Sequence, residues 1–139
     1  MRWALLCALL FGAGLATAQT PPRIVDADDA CPVDAPEGSS NVERYAWGRI
    51  CQGQWVNMAS ATGRDDRAGC DALSEDDWPD TRRLSPRFVK TIATRAPYTE
   101  VTAKRRVAIR CAVVTGRLDL AHAVLPQTLW LDDSRLPGG

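Results

Sequence analysis

Residues 106 to 138 read RVAIRCAVVTG (106 to 116), RLDLAHAVLPQ (117 to 127) and TLWLDDSRLPG (128 to 138). Apolar or small residues fall there in pairs separated by one position: Val107/Ile109, Ala112/Val114, Leu118/Leu120, Ala123/Leu125, Leu129/Leu131 and Ser134/Leu136. The step from pair to pair alternates between five and six, which makes an eleven-residue unit with inward positions two, four, seven and nine. The x-apolar-x-apolar pattern is that of a strand with one buried face. Its return every five or six residues, broken by Gly116, Pro126 and Pro137-Gly138, calls for very short strands with a corner after each. Short strands at a fixed repeat predict a β-solenoid. An antiparallel sandwich would want longer strands, with turn signals about 8 to 12 residues apart. A helix conflicts with the spacing of two inside each pair and with Pro126.

In such a stack two units make one coil, so residues 22 apart come into register. Trp130 then stands over Ala108 and Asp133 over Cys111, in coils about 4.8 Å apart. Position three of the unit carries Ala108, Asp119 and Trp130, and position six carries Cys111, His122 and Asp133.

Upstream of the repeat the period changes. Val42, Tyr45, Ala46, Trp47, Ile50 and Cys51 stand mostly at three- and four-residue steps, which predicts an amphipathic helix capped by Asn41 or Ser40 and stopped near Gly53. From Ala59 to Arg82 the chain is polar and loop-like, with acidic clusters at Asp65-Asp66 and Glu75-Asp76-Asp77. Ser85-Pro86 opens a second helix, with Ser as cap and Pro at the first helical position, where its missing N–H costs nothing. Leu84, Phe88, Val89 and Ile92 form its buried stripe and Pro97 limits its extent. Residues 19 to 41 are rich in Pro, Asp, Ser and Gly without an apolar period, the composition of a flexible arm.

The N-terminus has the three parts of an export signal: Arg2, the apolar run WALLCALLF from Trp3 to Phe11, and Ala16-Thr17-Ala18 as a cleavage site. The apolar run is shorter than the about 20 residues a membrane span needs, and no later segment approaches that length. Cys7 follows Leu6 inside the apolar core, away from where a lipid anchor would be attached. Cleavage after Ala18 is expected, giving a periplasmic or extracellular chain with residues 1–18 as signal peptide, 19–41 as flexible arm, 42–105 as helical cap region and 106–139 as short β-solenoid repeats. What remains after cleavage is enough for one small domain. Acidic and basic side chains nearly balance, 17 of each before Arg2 is lost. A nucleic-acid partner would call for a clear basic excess, so none is expected.

Four cysteines remain after cleavage, Cys31, Cys51, Cys70 and Cys111, and an even number in an exported chain predicts two disulfides. Three pairings are open. Cys51 with Cys70 and Cys31 with Cys111 is favoured, because the first closes a local loop and the second ties the arm to the C-terminal half. With 19, 18 and 40 residues between successive cysteines there is no C-x-x-C pair, and no metal or cofactor is expected.

The stretch from Trp47 to Leu136 resembles the opening of exported and membrane-associated bacterial proteins of unknown function with pentapeptide-like β-solenoids. The resemblance rests on a Trp-containing helix, on Arg83-Leu84-Ser85-Pro86-Arg87-Phe88-Val89, and on the run Val107-x-Ile109-x-x-Ala112-x-Val114-x-Gly116-x-Leu118-Asp119-Leu120. It covers about two thirds of the chain, and Gly-x-Leu-Asp-Leu is its most specific part. The chain departs from that pattern at Cys111, where such proteins favour Gly, and at Gly139, beyond which they continue for many coils. Roughly one and a half coils fall below the three or so repeats that hold themselves up. The chain is therefore expected either to be the N-terminal cap of a longer protein or to have its open edge closed by another chain.

Candidate chemistry is sparse. His122, the single histidine, stands near Asp119 as a candidate base, but no Gly-x-Ser-x-Gly or cysteine-protease context surrounds Ser134 or Cys111. The acidic clusters lack the alternating oxygen ligands of a calcium loop and read as solvated surface. Among Trp47, Trp55, Trp78 and Trp130, the sequence places Trp47 in the core and leaves Trp78 and Trp130 as exposed candidates for stacking against a ligand. Arg106, Arg110 and Arg117 read as an ordinary solvated rim. The expectation is an α+β fold, two N-terminal helices capping a short, disulfide-stapled β-solenoid of eleven-residue repeats. Its expected role is a non-enzymatic structural or interaction module of the cell envelope, meeting a protein through the open solenoid edge, with Trp78, Trp130 and His122 as candidate binding residues. The alternatives are an envelope hydrolase using His122 with Asp119, and a small disulfide-tied inhibitor or binding protein.

Overall fold

Ser40 starts the first helix, α1 (Asn41–Cys51), through a reciprocal cap. Its hydroxyl accepts from the Glu43 N–H at 3.2 Å and its own N–H donates to Glu43 Oε2 at 2.8 Å. The computed structural model describes residues 31–61, 70 and 78–137, and the statements below concern these. After α1 comes β1 (Val56–Asn57), followed by a 3-10 turn over Met58–Ser60. A second 3-10 turn, Asp80–Arg82, leads into β2 (Arg83–Leu84). The second helix, α2 (Pro86–Thr94), has Pro86 in its first turn and Ser85 as its cap, the hydroxyl accepting from Phe88 N–H at 3.1 Å. Then follow α3 (Tyr98–Thr102), β3 (Val107–Arg110), β4 (Val113–Val114) and β5 (Leu129–Asp132).

The strands form two small parallel sheets. One has the order β1-β3-β5, and the other pairs β2 with β4. In the first, Val56 stands opposite Ile109, while Val107, Ala108, Ile109 and Arg110 stand opposite Leu129, Trp130, Leu131 and Asp132. The register of β3 with β5 is thus an offset of 22 residues.

Two helices capping a β-solenoid is nonetheless the wrong architecture for this chain. Three helices and two small parallel sheets are present and the described residues form no solenoid. The middle unit, 117 to 127, carries the same spacing of two but no strand. Val124 and Leu125 turn outward, 81% and 40% exposed, and the local bonds are turn bonds, from Ala123 N–H to Leu120 O and from Ala121 N–H to Asp119 Oδ1. Besides β5, which lies downstream, β3 has β1 as a neighbour, and β4 pairs with β2; both β1 and β2 come from upstream, inside the stretch expected to be helical. Pro97, expected only to limit the second helix, also caps the start of α3.

The core lies between α1, α2 and the inner face of the larger sheet. Trp47, Ile50, Val56, Leu84, Phe88, Val89, Ile92, Val107, Ile109 and Val114 are buried in it. Glu43, also buried, joins the two helix starts. Its Oε1 accepts from Ser85 N–H at 2.8 Å and from Ser85 Oγ at 2.6 Å, so one carboxylate serves the N-terminal ends of both α1 and α2. Beyond α1 the chain turns at Gly53, whose φ of +76° an L side chain rarely adopts. A Cβ there would stand 2.9 Å from Arg105 Cδ, and Arg105 Nη1 donates to Cys51 O at 2.7 Å to close the helix end.

Two disulfides are present, Cys31–Cys51 and Cys70–Cys111, with Cα separations of 5.8 and 5.2 Å. The favoured pairing of Cys51 with Cys70 and Cys31 with Cys111 is therefore incorrect. The arm doubles back along α1, where the Trp47 indole N–H holds Val33 O at 2.7 Å, and this sets Cys31 beside Cys51. The stretch expected to be a signal peptide, the arm up to residue 30 and the acidic clusters Asp65-Asp66 and Glu75-Asp76-Asp77 lie outside the described residues. Among the described residues no helix is long and apolar enough to cross a membrane.

Candidate functional site

β3 is buried on both faces, which hides the alternation its sequence would otherwise show. Ile109 and Val107 face the core, and Ala108 is covered from outside. The register that sets Val56 opposite Ile109 also puts Trp55 beside Ala108, with Trp130 on the other flank. The small Ala108 lets the two indoles meet edge to face above it, their centroids 5.7 Å apart. The Arg106 guanidinium lies 5.7 Å from the Trp55 ring and 5.4 Å from the Trp130 ring. Both indoles remain about half exposed. One row further along, Arg110 donates from Nε and Nη2 to Asp133 Oδ2 at 2.8 and 2.6 Å, with Asp132 Oδ2 at 3.7 Å.

Among the described residues β5 is an edge strand, paired to β3 alone. Val107 N–H donates to Thr128 O and Cys111 N–H to Asp132 O, so the even-numbered backbone groups face β3. By alternation those of Leu129 and Leu131 point away from the sheet, while Asp133, past the end of β5, turns at φ +45°. On the inner side Leu129 and Leu131 join Leu118, Leu120 and Leu136 to line a groove of about 370 Å³. The open edge and the apolar groove therefore adjoin.

The residues singled out by sequence meet different fates. Trp130 is exposed and belongs to the aromatic row. Trp78 is not exposed but 2% accessible, packed with Ala59, Cys111 and Val113 and flanked by the Arg82 and Arg135 guanidinium groups at 5.4 and 5.5 Å. Those guanidinium groups lie over the ring, and its burial takes Trp78 out of contention as a binding surface. His122 is exposed in a turn at φ +59°. Asp119 accepts from Ala121 N–H at 2.9 Å, and no hydrogen bond joins it to His122 among the described residues. The Asp119 carboxyl is held below its ordinary range, first by that N–H and then by the Lys90 charge.

Sequence reasoning passed over Trp55 and treated Arg106 as solvated charge. The signal for Trp55 is weak, because β1 is only two residues long and shows no period of its own. The leucines of the groove were all legible as inward positions, though not as an open surface. Comparison of the chain with protein-family models, with curated proteins and with solved structures finds no match in any of the three.

Proposed function

We propose that this chain is an exported, non-enzymatic interaction module of the cell envelope that receives an extended protein segment along β5. The observation that carries this is the coincidence of an open strand edge with the leucine groove beside it. Unpaired strand edges template pairing with another chain, main-chain bonds supplying affinity and side-chain pockets selectivity. Leu129 and Leu131 offer both from the same two residues. Export is supported by the three-part leader and is compatible with the two disulfides, which persist in oxidising compartments.

Amide hydrogen exchange on the oxidised protein tests the proposal. In the monomer the Leu129 and Leu131 amides are expected to exchange as solvent-facing groups, and to become protected when the edge is occupied. A monodisperse monomer in which those two amides are already protected would overturn it.

A further inference from the structure

We infer that Trp55, Trp130 and Arg106 form a saccharide site on the outer face of the larger sheet, and that its ligand is a sugar ring bearing a carboxylate, a uronate. The site lies on the face opposite the leucine groove and does not depend on the β5 edge. Trp55 and Trp130 meet at an interplanar angle of 87° over the buried Ala108, so the pair offers a stacking face with a wall beside it. The ladder that sets Val56 opposite Ile109 and Trp130 opposite Ala108 fixes where both rings stand. With each other and Arg106 already against them, the rings are still 48% and 46% exposed, so stacking surface remains for a ligand. An indole face is electron-rich and attracts the polarised C–H groups along one face of a sugar ring.

Arg106 specifies the charge of the ligand. Arg105 donates to Cys51 O and Arg110 to Asp133, whereas the exposed Arg106 guanidinium has no acidic partner among the described residues. What it touches are the two indoles, at 5.7 and 5.4 Å from their centroids. Stacking on aromatic rings orients a guanidinium, and its planar fork of N–H donors matches the two oxygens of a carboxylate. So short a distance from the Trp130 ring calls for an anion carried directly on the stacking ring, as in a uronate, rather than at the end of a chain. The openness of the site selects a sugar over a flat aromatic acid, which needs an enclosing apolar pocket, while a sugar keeps its outer hydroxyls in water. One row along, Arg110 faces both Asp132 and Asp133, so among the described residues that end of the row carries one more carboxylate than cations. A uniformly anionic lipid surface would meet repulsion there, and a single sugar ring beside Arg106 does not.

The test is a titration of the oxidised protein with oligomers of galacturonate, glucuronate and mannuronate, followed by tryptophan emission and calorimetry. Neutral galactose oligomers, benzoate, triglutamate and phosphatidylglycerol vesicles serve as comparisons. At least one uronate is expected to bind saturably, with the neutral oligomer weaker by about tenfold or more. Arg106→Gln is expected to lower uronate affinity by about tenfold or more and to flatten its salt dependence, and Arg106→Lys to lose less. Trp130→Ala is expected to lower affinity while leaving the salt dependence of the wild type. Circular dichroism confirms that each variant is folded, and Trp130→Phe, which keeps a ring over Ala108, replaces the alanine variant if that one unfolds. Failure of all three uronates to bind overturns the inference. So does benzoate or triglutamate binding as tightly as the best uronate, or binding to the vesicles alone. Uronate binding indifferent to both Arg106→Gln and the Trp130 variant lies elsewhere on the chain and overturns it too. All of these outcomes leave the reading of β5 as an open edge intact.

Discussion

Glu43 carries an unusual share of the local structure for one side chain. Buried at 5% exposure, it receives Ser40 N–H on one oxygen and both Ser85 N–H and Ser85 Oγ on the other. Glu43→Ala would leave these donors without an acceptor at two helix starts, and is expected to lower unfolding free energy by about 2–4 kcal/mol in urea titrations. Glu43→Gln keeps one acceptor oxygen and should lose less. His122 carries strain of another kind, since its φ of +59° is shared with Cys111 at +57° and Asp133 at +45°. These are the sixth residues of the three eleven-residue units, so the sequence period reappears as a recurrent left-handed backbone position. Left-handed conformations cost roughly 1–2 kcal/mol for residues with a Cβ. His122→Gly is therefore expected to raise stability by up to about 1 kcal/mol, the relieved strain less the added freedom of the unfolded glycine. His122→Val should lower it, and thermal melts of the two variants should move in opposite directions.

Among the elements, β3 organises the larger sheet because it alone has neighbours on both sides. Its second residue, Ala108, is 1% exposed beneath the Trp55 and Trp130 rings. Ala108→Leu would drive the indoles apart and overpack the row, with an expected cost of about 1–3 kcal/mol and a change in tryptophan emission as the edge-to-face contact is lost. The element starts were well written in the sequence wherever a cap names its own position. Ser85 and Pro86 mark the first turn of α2, and of the two caps open for α1, Asn41 or Ser40, the structure uses Ser40. Partners were not written so clearly. Period-two spacing states which face of a segment is apolar, not whether another strand will lie beside it, and so 117 to 127 carried the pattern without forming a strand. Conversely β1 and β2, two residues each, are too short to show any period, yet they supply the neighbours that β3 and β4 use. Of the candidate site, the alternating leucines and the place of Trp130 beside Ala108 were visible in the 22-residue register, whereas the part played by Trp55 was not, because it meets Trp130 only through a register set by β1.

At the scale of the whole molecule, two covalent ties join parts of the chain that are distant in sequence. The even number of cysteines announced them, but which cysteine meets which depends on the arm folding back onto Trp47, a tertiary event with no local signature. Peptide mapping without reduction should recover Cys31 joined to Cys51 and Cys70 joined to Cys111. The sequence separations of 20 and 41 residues imply, through lost freedom of the unfolded chain, about 3 kcal/mol for the first tie and about 4 kcal/mol for the second. Their structural effects should differ more than their energies. Removing the first as Cys31→Ser with Cys51→Ser is expected to release the arm from α1, where the Trp47 indole N–H holds Val33 O, while leaving exchange rates along β5 unchanged. Removing the second as Cys70→Ser with Cys111→Ser acts at the residue that ends β3, where Cys111 N–H donates to Asp132 O, so β5 should exchange faster throughout. Equal effects of the two double variants on β5 would mean that the edge is governed by global stability rather than by its local anchorage at Cys111.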